Sequence, residues 1–119
     1  MNQCPYCQSE LTVTRMHCRQ CGVHCEGEFG QPRLARLTPE LQSLAEQVLL
    51  AGGNLTEVAT GLGVSYPTLR KKVDMLIAAL EDLRTRDRHE TDRLLGEVEA
   101  GRATPEYAAR RIGEMNRGA

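Results

Sequence analysis

Four cysteines carry the most definite chemistry in the chain. Cys4-Pro-Tyr-Cys7 and Cys18-Arg-Gln-Cys21-Gly22 are two Cys-x2-Cys pairs separated by ten residues. A Cys-x2-Cys turn lets two sulfurs face one ion, and two such turns complete a tetrahedral thiolate shell with no position left for water. The spacing predicts a structural zinc site with Cys4, Cys7, Cys18 and Cys21 as ligands. Pro5 fixes φ in the first turn, and Gly22 permits the tight backbone of the second. Two disulfides are the alternative in an oxidising compartment. A redox pair would leave the second Cys-x2-Cys without a role. All five cysteines lie within the first 25 residues. Cys25 reads as a small buried apolar residue, with a redox-sensitive thiol or a substitute ligand as the other options. His17 and His24 flank the second pair, but four cysteines suffice, so they read as solvated or strand-packed.

Between the pairs, Leu11-Thr-Val-Thr alternates as a short strand does. The whole of residues 1–30 resembles a zinc ribbon, two knuckles joined by a small antiparallel sheet. A module this small depends on its metal for folding free energy.

A second group of residues that can do chemistry is Tyr66, Thr68, Arg70, Lys71 and Lys72. Thr38-Pro39-Glu40 reads as a helix start, with Leu41, Leu44, Ala45 and Val48 on one face and Gly52-Gly53 at the end. Asn54 caps a second helix, with Glu57 three residues on, Val58, Ala59 and Leu62 buried, and Gly63 ending it. Ser65 caps a third helix carrying Leu69, Val73, Leu76, Leu80 and Leu83. Two helices joined by a short Gly-containing turn describe a helix-turn-helix over residues 38–83. The five polar residues lie off the Leu69/Val73/Leu76 face, where a recognition helix reaches bases and phosphates. Arg70 suits a bidentate guanine contact and Thr68 a thymine methyl or a phosphate. Tyr66, Lys71 and Lys72 suit phosphates. An ordinary solvated patch is the plainer reading of the same residues. The leucines recur at spacings of four and three. The part from Leu76 to Leu83 is expected either to pair with another chain or to pack on the first helix of its own.

Gly53-Asn54-Leu55 and Leu62-Gly-Val-Ser-Tyr-Pro-Thr-Leu-Arg-Lys-Lys72 resemble the Fis-type DNA-binding helix-turn-helix. The resemblance implies that the third helix enters a major groove while the second braces it. The order of modules is similar to a family of small bacterial proteins catalogued as a domain of unknown function, which pair a zinc ribbon with a helix-turn-helix. The residues that carry this likeness are the two Cys pairs, Glu26-Gly-Glu-Phe29, Pro32-Arg-Leu-Ala-Arg-Leu37, Gly53-Asn54-Leu55 and Leu62 to Thr68. Cys25 stands where that family has an aliphatic residue, which favours the packing role.

Gly30-Gln-Pro32-Arg33 reads as a turn or linker. Residues 84–93 contain no apolar side chain and are expected to be a solvated helical extension or a flexible connection, with His89 exposed. Leu94, Leu95 and Val98 predict a short helix ended by Gly101, and Thr104-Pro105-Glu106 starts another. The unit from Leu95 to Ala108 resembles the bacterial short C-terminal domain (SHOCT), a helical hairpin that implies docking or assembly.

The expected architecture is mostly α: a small β zinc ribbon at 1–30, a three-helix helix-turn-helix at 38–83, and a charged connection with a helical hairpin at 84–119. Fifteen basic and 16 acidic residues give a net charge of −1, so charge alone neither favours nor excludes nucleic acid. No run of eighteen apolar residues exists, which excludes a transmembrane helix, and the expected location is cytoplasmic. No nucleophile–base pair, Gly-rich phosphate loop or open metal position is visible, so an enzyme is not expected. The expected partners are double-stranded DNA and a second copy of the chain, as a homodimer or higher oligomer. RNA polymerase or a sigma factor is the partner if the modules act as an adaptor.

Overall fold

The structure, a computed structural model, describes residues 3–116; the outermost ends of the first and last expected domains lie outside them. Strand β1 (Val13–His17) and strand β2 (His24–Phe29) form an antiparallel pair. Five helices follow: α1 (Arg33–Arg36), α2 (Pro39–Leu50), α3 (Leu55–Leu62), α4 (Tyr66–Glu99) and α5 (Pro105–Met115). The protein is therefore mostly helical with a small N-terminal sheet, as the sequence predicts.

The sheet sits further along the chain than the Leu11–Thr14 alternation suggests. Its register runs Val13↔Phe29, Arg15↔Glu26, Met16↔Cys25 and His17↔His24, with an irregularity between Val13 and Arg15. The turn at the second Cys pair sets this register, because Cys18 N–H donates to Val23 O at 2.9 Å and closes the hairpin. Among the described residues nothing covers most of the ribbon, and Cys25 is exposed. The expectation of a buried Cys25 is thus corrected: a lone two-stranded sheet has no second layer under which a small side chain can hide.

Local signals place the helix starts. Thr38, Asn54, Ser65 and Thr104 each accept the backbone N–H of the residue three further on, and all four helices that follow begin there. Pro lies in the first turn of α2, α4 and α5, where its missing N–H costs nothing. Gly63 ends α3 with φ of 68°, and Val64 N–H returns to Ala59 O at 3.1 Å. A side chain at that left-handed position would be strained, so glycine fits the turn between α3 and α4.

Leu37, Leu44, Val58, Ala59, Leu69, Val73, Leu76 and Leu83 make one core, with Leu41, Ala45, Val48 and Val64 packed against it. Leu76 and Leu83 are buried within the chain itself, and Leu80 packs beside them. The Leu76–Leu83 seam is therefore spent on the protein's own core and is not a free surface for a second copy. Leu62, expected inside, is half-exposed at the end of α3.

Residues 30–32 are irregular, as the turn reading has it, but α1 begins at Arg33, a helix the sequence reading does not contain, and Leu37 at its end enters the core. Gln42 of α2 holds that end by donating to Ala35 O and Leu37 O at 3.0 and 2.7 Å. The charged stretch 84–93 takes the helical one of its two expected forms; the departure is that the short helix expected over residues 94–98 is not separate, so α4 runs 34 residues, about 50 Å, from the turn to Glu99. α5 folds back on its far end, burying Leu94, Ala108 and Glu114.

Candidate metal centre and nucleic-acid interface

The two Cys pairs adopt the same local structure. Cys4 N–H donates to Ser9 O at 2.8 Å and Gln8 N–H to Cys4 O at 2.9 Å. In the second pair, Cys18 N–H donates to Val23 O and Gly22 N–H to Cys18 O, both at 2.9 Å. The residue after the second cysteine of each pair lies in the left-handed region, Gln8 with φ of 63° and Gly22 with φ of 78°. The first turn thus accepts, on a glutamine, the strain that Gly22 avoids in the second. That equivalence was hidden in the sequence because glutamine gives no turn signal.

Each turn favours thiolate. The Ser9 hydroxyl and backbone amide, with the Cys4 thiol, lower the Cys7 pKa. The Cys21 backbone amide and thiol, with the Gln20 amide, do the same for Cys18. Tyr6 N–H points at Cys4 Sγ from 3.4 Å. Deprotonated sulfur is the form that ligates a metal, so the donor set suits a thiophilic ion such as Zn²⁺. The structure brings Cys4 to Cys7 and Cys18 to Cys21. It does not gather three or more ligating side chains at one point among the described residues. His17 and His24 stack across the strands with ring centroids 4.6 Å apart, outside either pair.

At the other candidate surface, α3, the Gly63 turn and α4 form the helix-turn-helix. Tyr66, Thr68, Arg70, Lys71 and Lys72 are all exposed on the first two turns of α4. At about 100° per residue, Lys71 lies opposite the Leu69/Val73 stripe, with Arg70 and Thr68 on either side of it. Tyr66 and Lys72 lie at the borders of the core stripe. The Arg70 guanidinium is held on the helix by Asp74 at 3.1 Å. The Thr68 hydroxyl accepts from Ser65 Oγ at 2.8 Å, as part of the cap that starts the helix.

Between these surfaces lies a network that sequence reasoning missed. Asp87 of α4 receives Arg33 Nε at 2.9 Å and Arg36 Nη1 at 2.8 Å. Arg36 also pairs with Glu10, in the segment that leaves the first Cys turn. The Asp87 and Arg36 side chains are 7 and 10 % exposed. Burial opposes the Arg36 charge, but the hydrogen bonds to Glu10 and Asp87 more than offset it and raise its pKa. The partners are 26 to 54 residues apart in the chain, so no local pattern announces them. Nearby, a cavity of about 290 Å³ lies between Phe29, Gly30, Arg36, Asp87 and Glu114.

A cysteine-knuckle ribbon followed by a helix-turn-helix defines a two-module chain of zinc-ribbon and helix-turn-helix type. Residues 4–35 match the family model described as DUF2089 zinc ribbon, and residues 37–82 match the one described as domain of unknown function (DUF2089)-HTH. The chain thus carries both parts of that family in order, and neither model reaches residues 83–119. No curated protein and no solved structure matches the chain. Among the described residues, no helix is long and apolar enough to cross a membrane.

Proposed function

We propose that the protein is a DNA-binding transcriptional regulator with no catalytic role. The observation that carries the reading is the exposed row Tyr66, Thr68, Arg70, Lys71 and Lys72 at the start of α4, directly after the Gly63 turn. In a helix-turn-helix this is the end that enters the major groove. Arg70 reads a guanine edge, and Asp74 orients its guanidinium for the purpose. Tyr66, Lys71 and Lys72 bind phosphates. The match to the DUF2089 helix-turn-helix model and the Fis-like residues of α3 and α4 support the same reading.

Cys4, Cys7, Cys18 and Cys21 bind one structural Zn²⁺, which holds the two turns together. The matching geometry of the turns and the zinc-ribbon match support this. The SHOCT-like hairpin formed by α5 and the end of α4 serves assembly. A monomer with so few basic contacts binds weakly, so two copies act on one operator.

The test is selection of random duplexes by zinc-loaded protein at near-physiological salt, with Arg70→Ala/Lys71→Ala beside it. An enriched motif that the variant loses supports the reading. Flat enrichment, unchanged in the variant, refutes it and favours an adaptor that docks on a protein such as RNA polymerase or a sigma factor.

A further inference from the structure

Beyond the helix-turn-helix, Arg84, Arg88 and Thr91 follow one another along α4 at spacings of four and three, so they share one stripe of the helix. Arg33 of α1 and Asn116 at the end of α5 close over that stripe. With Asp87 they line a cleft of about 270 Å³. Among the described residues, three guanidinium groups face it against one carboxylate. That carboxylate is already neutralised by Arg33 and by Arg36 from outside the cleft.

Neighbouring arginines on the same helix are paired: Arg86 with Asp82 at 2.8 Å, and Arg93 with Glu90 at 2.6 Å. Among the described residues, Arg84 and Arg88 have no ion-pair or hydrogen-bond partner. Arg33 engages Asp87 through Nε alone, which leaves its two terminal nitrogens as donors. The Thr91 hydroxyl and the Asn116 amide add neutral donors to the same opening. Cations held side by side repel one another unless an anion sits between them, and the guanidinium fork matches the oxygens of a phosphate.

We propose that this cleft binds a phosphate-bearing small molecule, with Arg84, Arg88 and Arg33 as its charged ligands and Thr91 and Asn116 as neutral donors. The volume exceeds that of one phosphate group, so a diphosphate or a phosphate ester fits better than the bare ion. The cleft lies about 27 Å along α4 from Arg70, in the second half of the helix and away from the proposed DNA-reading residues. Its occupant is therefore a separate ligand, and the inference does not rest on the DNA reading.

Calorimetric titration of the full chain with pyrophosphate, at fixed ionic strength, tests the site, with inorganic phosphate as the weaker probe. Saturable one-site binding is expected, reduced about tenfold or more by Arg84→Gln/Arg88→Gln. Arg110→Gln removes a guanidinium that stacks on Tyr107 outside the cleft and should change affinity less than about twofold. Circular dichroism checks that both variants keep their helices. The inference is overturned if pyrophosphate does not saturate, or if the double variant loses only about twice the binding free energy that Arg110→Gln loses, as diffuse charge attraction would give for two charges against one. Loss of duplex affinity in the double variant without pyrophosphate binding in the wild type also overturns it, since the arginines would then contact nucleic-acid backbone.

Discussion

Asp87 joins three parts of the chain, and removing its carboxylate should be the most costly single polar change. In Asp87→Ala, Arg36 stays where its side chain is 10 % exposed and keeps only Glu10. Arg33, a quarter exposed, can rehydrate. Breaking a buried pair from one side costs roughly 3–5 kcal/mol. Retention of Glu10 and the exposure of Arg33 place this case at the low end, about 3 kcal/mol. With a urea m-value of about 1.5 kcal/mol per molar, the midpoint should fall by about 2 M. Asp82→Ala breaks the exposed pair with Arg86, 57 and 65 % exposed, and should cost under about 0.5 kcal/mol. Asp87→Leu combined with Arg36→Met should be less damaging than Asp87→Ala alone, because it leaves no buried charge without its partner at Asp87. Urea unfolding of the zinc-loaded chain, followed by circular dichroism, measures all three. A loss below about 1 kcal/mol for Asp87→Ala would show that the network behaves as a surface pair and would refute the argument.

A β-carbon on Gly30 would meet the Glu114 carbonyl oxygen at 2.6 Å, so Gly30→Ala should force α5 away at a cost of about 1–3 kcal/mol. Faster tryptic cleavage at Arg110 and Arg111 would report it, and an unchanged digestion rate would count against the contact. The hydrogen bond from Arg93 holds the Glu90 pKa below its ordinary value of 4.5. Its contribution to stability is therefore present above that value and lost as pH falls through the depressed one. Glu90→Gln should flatten the acid limb of a stability–pH curve, and an identical slope would remove Glu90 from the account. Chelation at neutral pH should melt the ribbon while the helices persist. A far-UV spectrum that collapses completely would contradict that independence.

Signals confined to a few neighbouring residues were legible in the sequence. The caps at Thr38, Asn54, Ser65 and Thr104, the Gly63 turn and the Leu69/Val73/Leu76 stripe each follow from short-range hydrogen bonding or helical period, and each is in the structure. The exposed row from Tyr66 to Lys72 followed from the same period. What escaped depends on partners far along the chain. Residues 84–93 have no apolar side chain, so periodicity is silent there, yet Asp87 is buried by arginines 51 and 54 residues earlier. α1 is four residues long, too short for a periodic signal, and is fixed by Gln42 and Leu37. Cys25 is exposed although a free cysteine is a small apolar side chain and the resembling family has an aliphatic residue there, because neither fact says whether a second layer covers the strand pair.

The unbroken course of α4 sets a phase between the two ends of the molecule. Leu83 keys the helix to the helix-turn-helix core, and Asp87, one turn later, keys it to α1 and the ribbon. One residue inserted between them would turn everything beyond by about 100° and carry Asp87 away from Arg36. Seven inserted residues would restore the angle to within about 20° while moving the attachment about 10 Å outward. The helix thus works as an indexing shaft: its angular setting, rather than its length, decides whether the ribbon and the helix-turn-helix can engage the same rod at once.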